Sequence, residues 1–105
     1  MKQLVARAHG HDIRIIGATL TPYANTVFPG YFSAEGEIER QAVNAWIRDG
    51  GAFDGVIDFD AVTRDPDQPD HILAKYDFGD HLHPNDAGYQ AMGEAIDLSM
   101  IAGEK

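Results

Sequence analysis

A chain of 105 residues with 44% hydrophobic side chains is sized for one small globular domain, residues 1–105, built around a modest core. Its 17 Asp and Glu against 8 Lys and Arg leave a formal net charge of −9, which repels phosphate backbones and anionic lipid and argues against a nucleic-acid partner. No apolar run approaches the ~20 residues that span a bilayer, and the lack of cysteine removes disulfides and thiolate metal sites.

Lys2 to His9 places Leu4, Val5 and Ala8 on one helical face, with Gly10 suited to the left-handed residue that ends a helix. Met1 to Leu4 open this helix without an apolar signal core, so no export sequence is expected here. Ile13 to Leu20 is a β-branched apolar run, which predicts a parallel strand covered on both faces. Pro22 to Phe32, with Pro29-Gly30 and four aromatics, reads as a loop. Glu35 to Arg48 repeats apolar groups at Ile38, Ala42 and Trp46 and at Val43 and Ile47, predicting a helix that Ser33 caps and Gly50-Gly51 stop.

Asp54 to Phe59 is a second short strand, and the strand, helix, strand order makes the pair parallel. Asp60 to Gly79, punctuated by Asp65-Pro66-Asp67 and Gln68-Pro69-Asp70, predicts a long ordered loop walling a site. Pro84 then opens a last helix whose Met92, Ala95 and Ile96 face the sheet, with Ser99 deep inside it. The sum is an α/β fold in the order α-β-α-β-α. Two strands make a marginal sheet with two open edges, which predicts completion by a homo-oligomer, a dimer first.

The segment Asp80-His81-Leu82-His83-Pro84-Asn85 sets a carboxylate three residues before an imidazole at the mouth of that last helix. It resembles the Asp-x-x-His-Pro block of the SGNH (GDSL-like) esterases and lipases. Ile16 to Tyr23 and Arg40 to Arg48 are similar to the strand with its active-site loop and to the following helix of the same family. The resemblance implies a truncated three-layer αβα sandwich, flavodoxin-like in plan. Its catalytic pair is Asp80, which orients the ring, and His83, the base. It further implies that the blocks carrying the nucleophilic serine and the glycine and asparagine oxyanion donors lie ahead of these residues, so that the chain is the C-terminal part of a longer hydrolase domain.

Neither serine present supplies that nucleophile, since Ser33 reads as a helix cap and Ser99 as a helix-interior residue. An Asp/His pair alone activates water against a reactive ester with a contribution of roughly 10² to 10⁴ in rate, well below a complete site. The expected activity is therefore residual or promiscuous hydrolysis of a small-molecule carboxylic ester, with no cofactor. Thr21, Tyr23 and Phe78 are expected to line the substrate pocket.

Three other readings stand beside this one. Asp80 and Asn85 are also the residue types that cap helices, which gives the motif a purely structural role. His81-Leu82-His83 flanked by Asp80 and Asp86 offers N and O donors for zinc or another divalent ion, although Asn85 stands where a metallo-hydrolase pattern wants an acid. Last, the chain could be a non-catalytic oligomerising fragment. His9, His11 and Asp12 sit at the wrong end of the first strand for a site in an open α/β sheet and read as a solvated turn. Asp58 and Asp60 read as structural.

Overall fold

Ser33 and Gly51 bracket the longest helix. The Ser33 hydroxyl accepts the Gly36 N–H at the start, and Gly51 takes φ 69° just past the end, the left-handed region where glycine carries no Cβ penalty. The computed structural model describes residues 1–102. Its elements in order are α1 (Lys2–Gly10), β1 (Ile16–Ala18), α2 (Ala34–Asp49), β2 (Gly55–Ile57), α3 (Phe59–Thr63), a 3₁₀ turn (Ala74–Tyr76), α4 (Asp86–Glu94) and α5 (Leu98–Ala102). β1 and β2 pair in parallel, Ile16 opposite Gly55 and Ala18 opposite Ile57. This is the truncated α/β plan, with helices added at two places where none was expected and the last helix split in two.

Those places have local causes. Asp58 ends β2 and its carboxylate accepts the Ala61 N–H, which nucleates α3 inside the stretch expected to lack regular structure. The 3₁₀ turn follows from the Tyr76 N–H to Leu73 C=O bond. The last helix is broken in two, because Ala95 ends α4 and Asp97 then accepts the Ser99 N–H and hydroxyl, so Ser99 lies in the first turn of α5 instead of deep in a helix. Met92 and Ile96 are half-buried and Ala95 is exposed, and α4 packs on α3 and the 3₁₀ turn. Pro84 does not open α4. Asn85 caps it, its amide oxygen taking the Gly88 N–H, while Pro84 stays extended in an antiparallel bridge to Asp77.

Ile13 to Leu20 yields only three residues of strand, because β2 offers only three to pair with. One face is covered and the other is not. Gly17 and Thr19 are buried while Ala18 and Leu20 are exposed. On the covered face Gly17 lies so close to Phe53 that a Cβ would sit 2.6 Å from its ring, and Phe53 in turn meets Trp46 edge-on at 5.5 Å. In α1, Val5 is buried but Leu4 is not, and the left-handed residue beyond it is Asp12 (φ 58°), a type that tolerates this region, not Gly10.

The core is half polar. Val5, Ala24, Ile47, Ile57 and Ile72 are buried together with Thr19, Arg40, Asn44, Asp60 and Thr63. As a result α2 turns Arg40, Asn44 and Ile47 inward and leaves Ile38 70% exposed, against the apolar face expected from Ile38, Ala42 and Trp46. The cause is Asp60. Its fully buried carboxylate receives Arg40 Nη1 at 2.6 Å, Arg48 Nη2 at 2.6 Å and Arg64 Nη1 at 3.0 Å, and a buried charge is tolerable only when paired in this way. Among the described residues no buried side-chain polar atom lacks a hydrogen-bond partner. None of their helices is long and apolar enough to cross a membrane.

Candidate active site

Residues 77–85 form a loop tied shut at its base. The Phe78 N–H donates to the His83 C=O at 3.0 Å, the Asn85 N–H to the Tyr76 C=O at 2.8 Å, and the Asn85 amide nitrogen to the carbonyls of Lys75 and Asp77. Two aspartates shape the inside. Asp77 Oδ1 accepts the N–H groups of Gly79 and His81, and Asp80 Oδ1 accepts those of Leu82 and His83. The tight course costs strain at His81, whose φ of 58° is left-handed. Thr26 Oγ1 and the Val27 N–H both donate to the Asp80 C=O, at 3.0 and 3.1 Å, so the loop leaving the carboxyl end of β1 is fastened to the backbone of Asp80. Open α/β sheets place their sites at that end.

Asp80 Oδ2 lies 2.6 Å from His83 Nδ1. Hydrogen bonds from the His83 ring and then from the His83 N–H hold the Asp80 carboxyl down at about 2, so it is ionised at neutral pH. An ionised carboxylate only accepts, which fixes the shared hydrogen on Nδ1 and leaves Nε2 of the neutral ring with its lone pair free. The His83 side chain is 57% exposed and that of Asp80 14%. A ring so oriented can take a proton from an incoming nucleophile and return it to a leaving group. The side-chain cap of α4 is Asn85, while the Asp80 carboxylate is bonded to Leu82 and His83 within the loop.

The potential metal donors are separated. His81 Nδ1 is bonded to Asp77 Oδ2, a pairing the sequence reading missed although Asp77-x-Gly79-x-His81 spells it, and His83 Nδ1 is bonded to Asp80. Asp86 is the first residue of α4. Among the described residues no three His, Asp or Glu side chains gather in a way that could hold a metal ion. His9 Nε2 meets Asp54 Oδ2 at 2.9 Å and His71 Nδ1 meets Asp70 Oδ1 at 2.7 Å, so each of these rings is paired with a carboxylate of its own.

Two hollows flank the motif. One of about 450 Å³ has Leu82 in its wall, together with Leu20, Thr21, Tyr23, Tyr31 and Val43. The other, about 210 Å³, is walled by His83, Phe78, Pro84 and Tyr89. Thr21 and Tyr23 therefore share a cavity and Phe78 lies in the other. The larger cavity is set by α2: Asn44 takes the Leu20 N–H and donates to the Leu20 C=O, at 2.8 and 2.9 Å, and Arg40 donates to the same carbonyl and to that of Pro69. Nothing in a periodicity argument points to Arg40, Asn44 or Tyr89.

A family model described as the GDSL-like Lipase/Acylhydrolase family matches residues 1–91, a span that takes in both strands and the whole loop from Asp77 to Asn85. The chain belongs to the GDSL-like lipase/acylhydrolase family. Membership puts its activity, at the level of class, with the ester hydrolases. No curated protein matches the chain.

Proposed function

We propose that this GDSL-like chain hydrolyses carboxylic esters with His83 as general acid and base and Asp80 as the residue that orients it. The observation that carries the proposal is the 2.6 Å bond from Asp80 Oδ2 to His83 Nδ1, with the rest of the ring open to solvent. In the forward step His83 Nε2 accepts a proton from the water whose oxygen adds to the ester carbonyl carbon. The ester carbon–oxygen bond then breaks and the departing alkoxide takes that proton from the imidazolium, so the net change is ester plus water to acid plus alcohol. Asp80 stabilises the imidazolium by charge and holds the tautomer.

Within this reading residues 1–105 are the C-terminal part of the hydrolase domain, and what they do by themselves is activate water. Ser33 caps α2 and the Ser99 hydroxyl is bonded to Asp97, so neither is free as a nucleophile. The activity is accordingly weak and tolerant of substrate, about 10² to 10⁴ from general base catalysis. Thr21, Tyr23 and Phe78 contact the substrate from the two flanking hollows. The open edges of the two-stranded sheet are closed by a second copy, which light scattering on the eluted protein reads as twice the chain mass.

The test is hydrolysis of p-nitrophenyl acetate by wild type and His83→Ala. Loss of at least 10²-fold in the variant supports the dyad. An unchanged rate overturns it. Treatment with EDTA leaves the wild-type rate as it was, because the donors around His83 are committed one to each carboxylate.

A further inference from the structure

We infer that the recess beside His83, walled by Phe78, Pro84 and Tyr89, is the subsite for the leaving alcohol, and that it selects alcohols with a flat apolar face, aryl above short alkyl. The inference rests on the acid/base reading of His83 and deepens it. A general acid must reach the leaving oxygen within about 2.6 to 3.2 Å, so whatever that oxygen carries lies against the neighbours of the ring. Those neighbours are Phe78, Pro84 and Tyr89.

Size agrees with a part of a ligand. At about 210 Å³ the recess is below the roughly 300 to 1,000 Å³ of a site that swallows a whole small molecule, whereas the cavity on the Leu82 side, at about 450 Å³, falls within it. Leu82 and His83 are consecutive, and each lines a different one of the two hollows. The recess presents two aromatic rings from separate elements, Phe78 from the loop and Tyr89 from α4, at 71% and 55% exposure. Helix capping explains part of this. Pro84 precedes the cap Asn85 and Tyr89 is the fourth helical residue, the pair that forms a hydrophobic staple. A staple needs neither Phe78 nor a Tyr89 left more than half in water. Two exposed rings around a proton donor suit a flat partner that stacks on one ring and meets the other by its edge.

The experiment varies one side of the ester at a time. Phenyl acetate and ethyl acetate differ only in the alcohol, and phenyl acetate and phenyl butyrate only in the acyl chain; each is assayed with wild type, Phe78→Ala, Tyr89→Ala and Tyr89→Phe. We expect KM for phenyl acetate to rise roughly 3- to 10-fold in the two alanine variants and to hold in Tyr89→Phe, with ethyl acetate changed less than twofold and the acetate-to-butyrate ratio constant. A shift in the acyl ratio, or an equal loss on every ester, overturns the assignment.

Phenol itself is the probe that does not depend on turnover. Added to the labelled protein, it should shift the ring resonances of Phe78, Tyr89 and His83 in wild type and those of Phe78 and Tyr89 in His83→Ala, and have no such effect in Phe78→Ala or Tyr89→Ala. No shift in wild type overturns the subsite. An unchanged turnover in His83→Ala beside intact phenol binding would instead strike the acid/base reading. Both mutated rings are exposed, and circular dichroism checks that the variants fold.

Discussion

Asp80 grips His83 at two points, with Oδ2 on the ring Nδ1 at 2.6 Å and Oδ1 on the backbone N–H at 2.9 Å. One bond orients the ring and the other shapes the turn that carries it. In Asp80→Asn the amide can keep an acceptor for the backbone N–H but loses the charge that selects the Nδ1–H tautomer and stabilises the imidazolium. We expect kcat/KM on p-nitrophenyl acetate to fall by about 10²-fold or more with the fold intact, since general acid–base catalysis contributes about 10² to 10⁴. A fall smaller than threefold would show that the ring needs no orienting.

Two carboxylates, Asp80 and Asp58, contribute to the acid limb of stability, beside Asp54 and Asp97, whose carboxyls are also lowered by hydrogen bonds. Asp80 is held at about 2 by its bonds to His83, and Asp58 at about 2 because, although burial raises it, bonds from Arg48, the Ala61 N–H and Thr19 outweigh the burial. Both folded-state values lie below the ordinary 3.8, so each group stabilises the fold fully above about pH 4 and loses that contribution as pH falls toward 2. Denaturant midpoints measured between pH 7 and pH 2 should therefore drop below pH 4, and less steeply in Asp58→Asn. Carbon-13 titration should show both carboxyls still ionised at pH 3.

Arg40 is the hinge of the polar core. Only 2% of its side chain is exposed, and it binds Glu37, Asp60 and the carbonyls of Leu20 and Pro69 together. Burial disfavours its charge, yet its bonds to Glu37 and Asp60 raise its pKa on balance. Arg40→Met removes one partner of a buried pair and should cost about 3 to 5 kcal/mol by urea unfolding. Arg40→Lys should not restore it, because an ammonium cannot reproduce the planar fork.

Two glycines of α4 should respond with opposite signs. A Cβ on Gly88 would stand 2.8 Å from Pro84 Cβ and 2.9 Å from the Tyr76 carbonyl oxygen, so Gly88→Ala should destabilise by about 1 to 3 kcal/mol despite the gain in helix propensity. Gly93 has nothing within 4 Å, and Gly93→Ala should stabilise by about 0.5 to 1 kcal/mol. Thermal unfolding of both variants checks the pair.

The elements with strong local signals were legible in the residues alone. Ser33, Gly50 and Gly51 bound α2 because a cap and a left-handed glycine act within four residues of the chain. The pairing of Asp80 with His83 is likewise local, three residues apart in one turn. Periodicity misled at α2, where Ile38 faces water and Arg40 and Asn44 face inward. It assumes that burial follows hydrophobicity, and here burial follows charge pairing with an aspartate 20 residues away.

By itself, then, the sequence determined the order of the two strands and of α1, α2 and α4, the parallel pairing and the Asp/His motif, because each rests on neighbours along the chain. Only the tertiary structure decided which face of α2 is buried and that Leu82 and His83 look into different hollows. Those outcomes depend on segments distant in sequence coming together, Arg40 bonded to Asp60, Thr26 bonded to Asp80, and Phe78 and Tyr89 lining one hollow, and no local pattern encodes the partner.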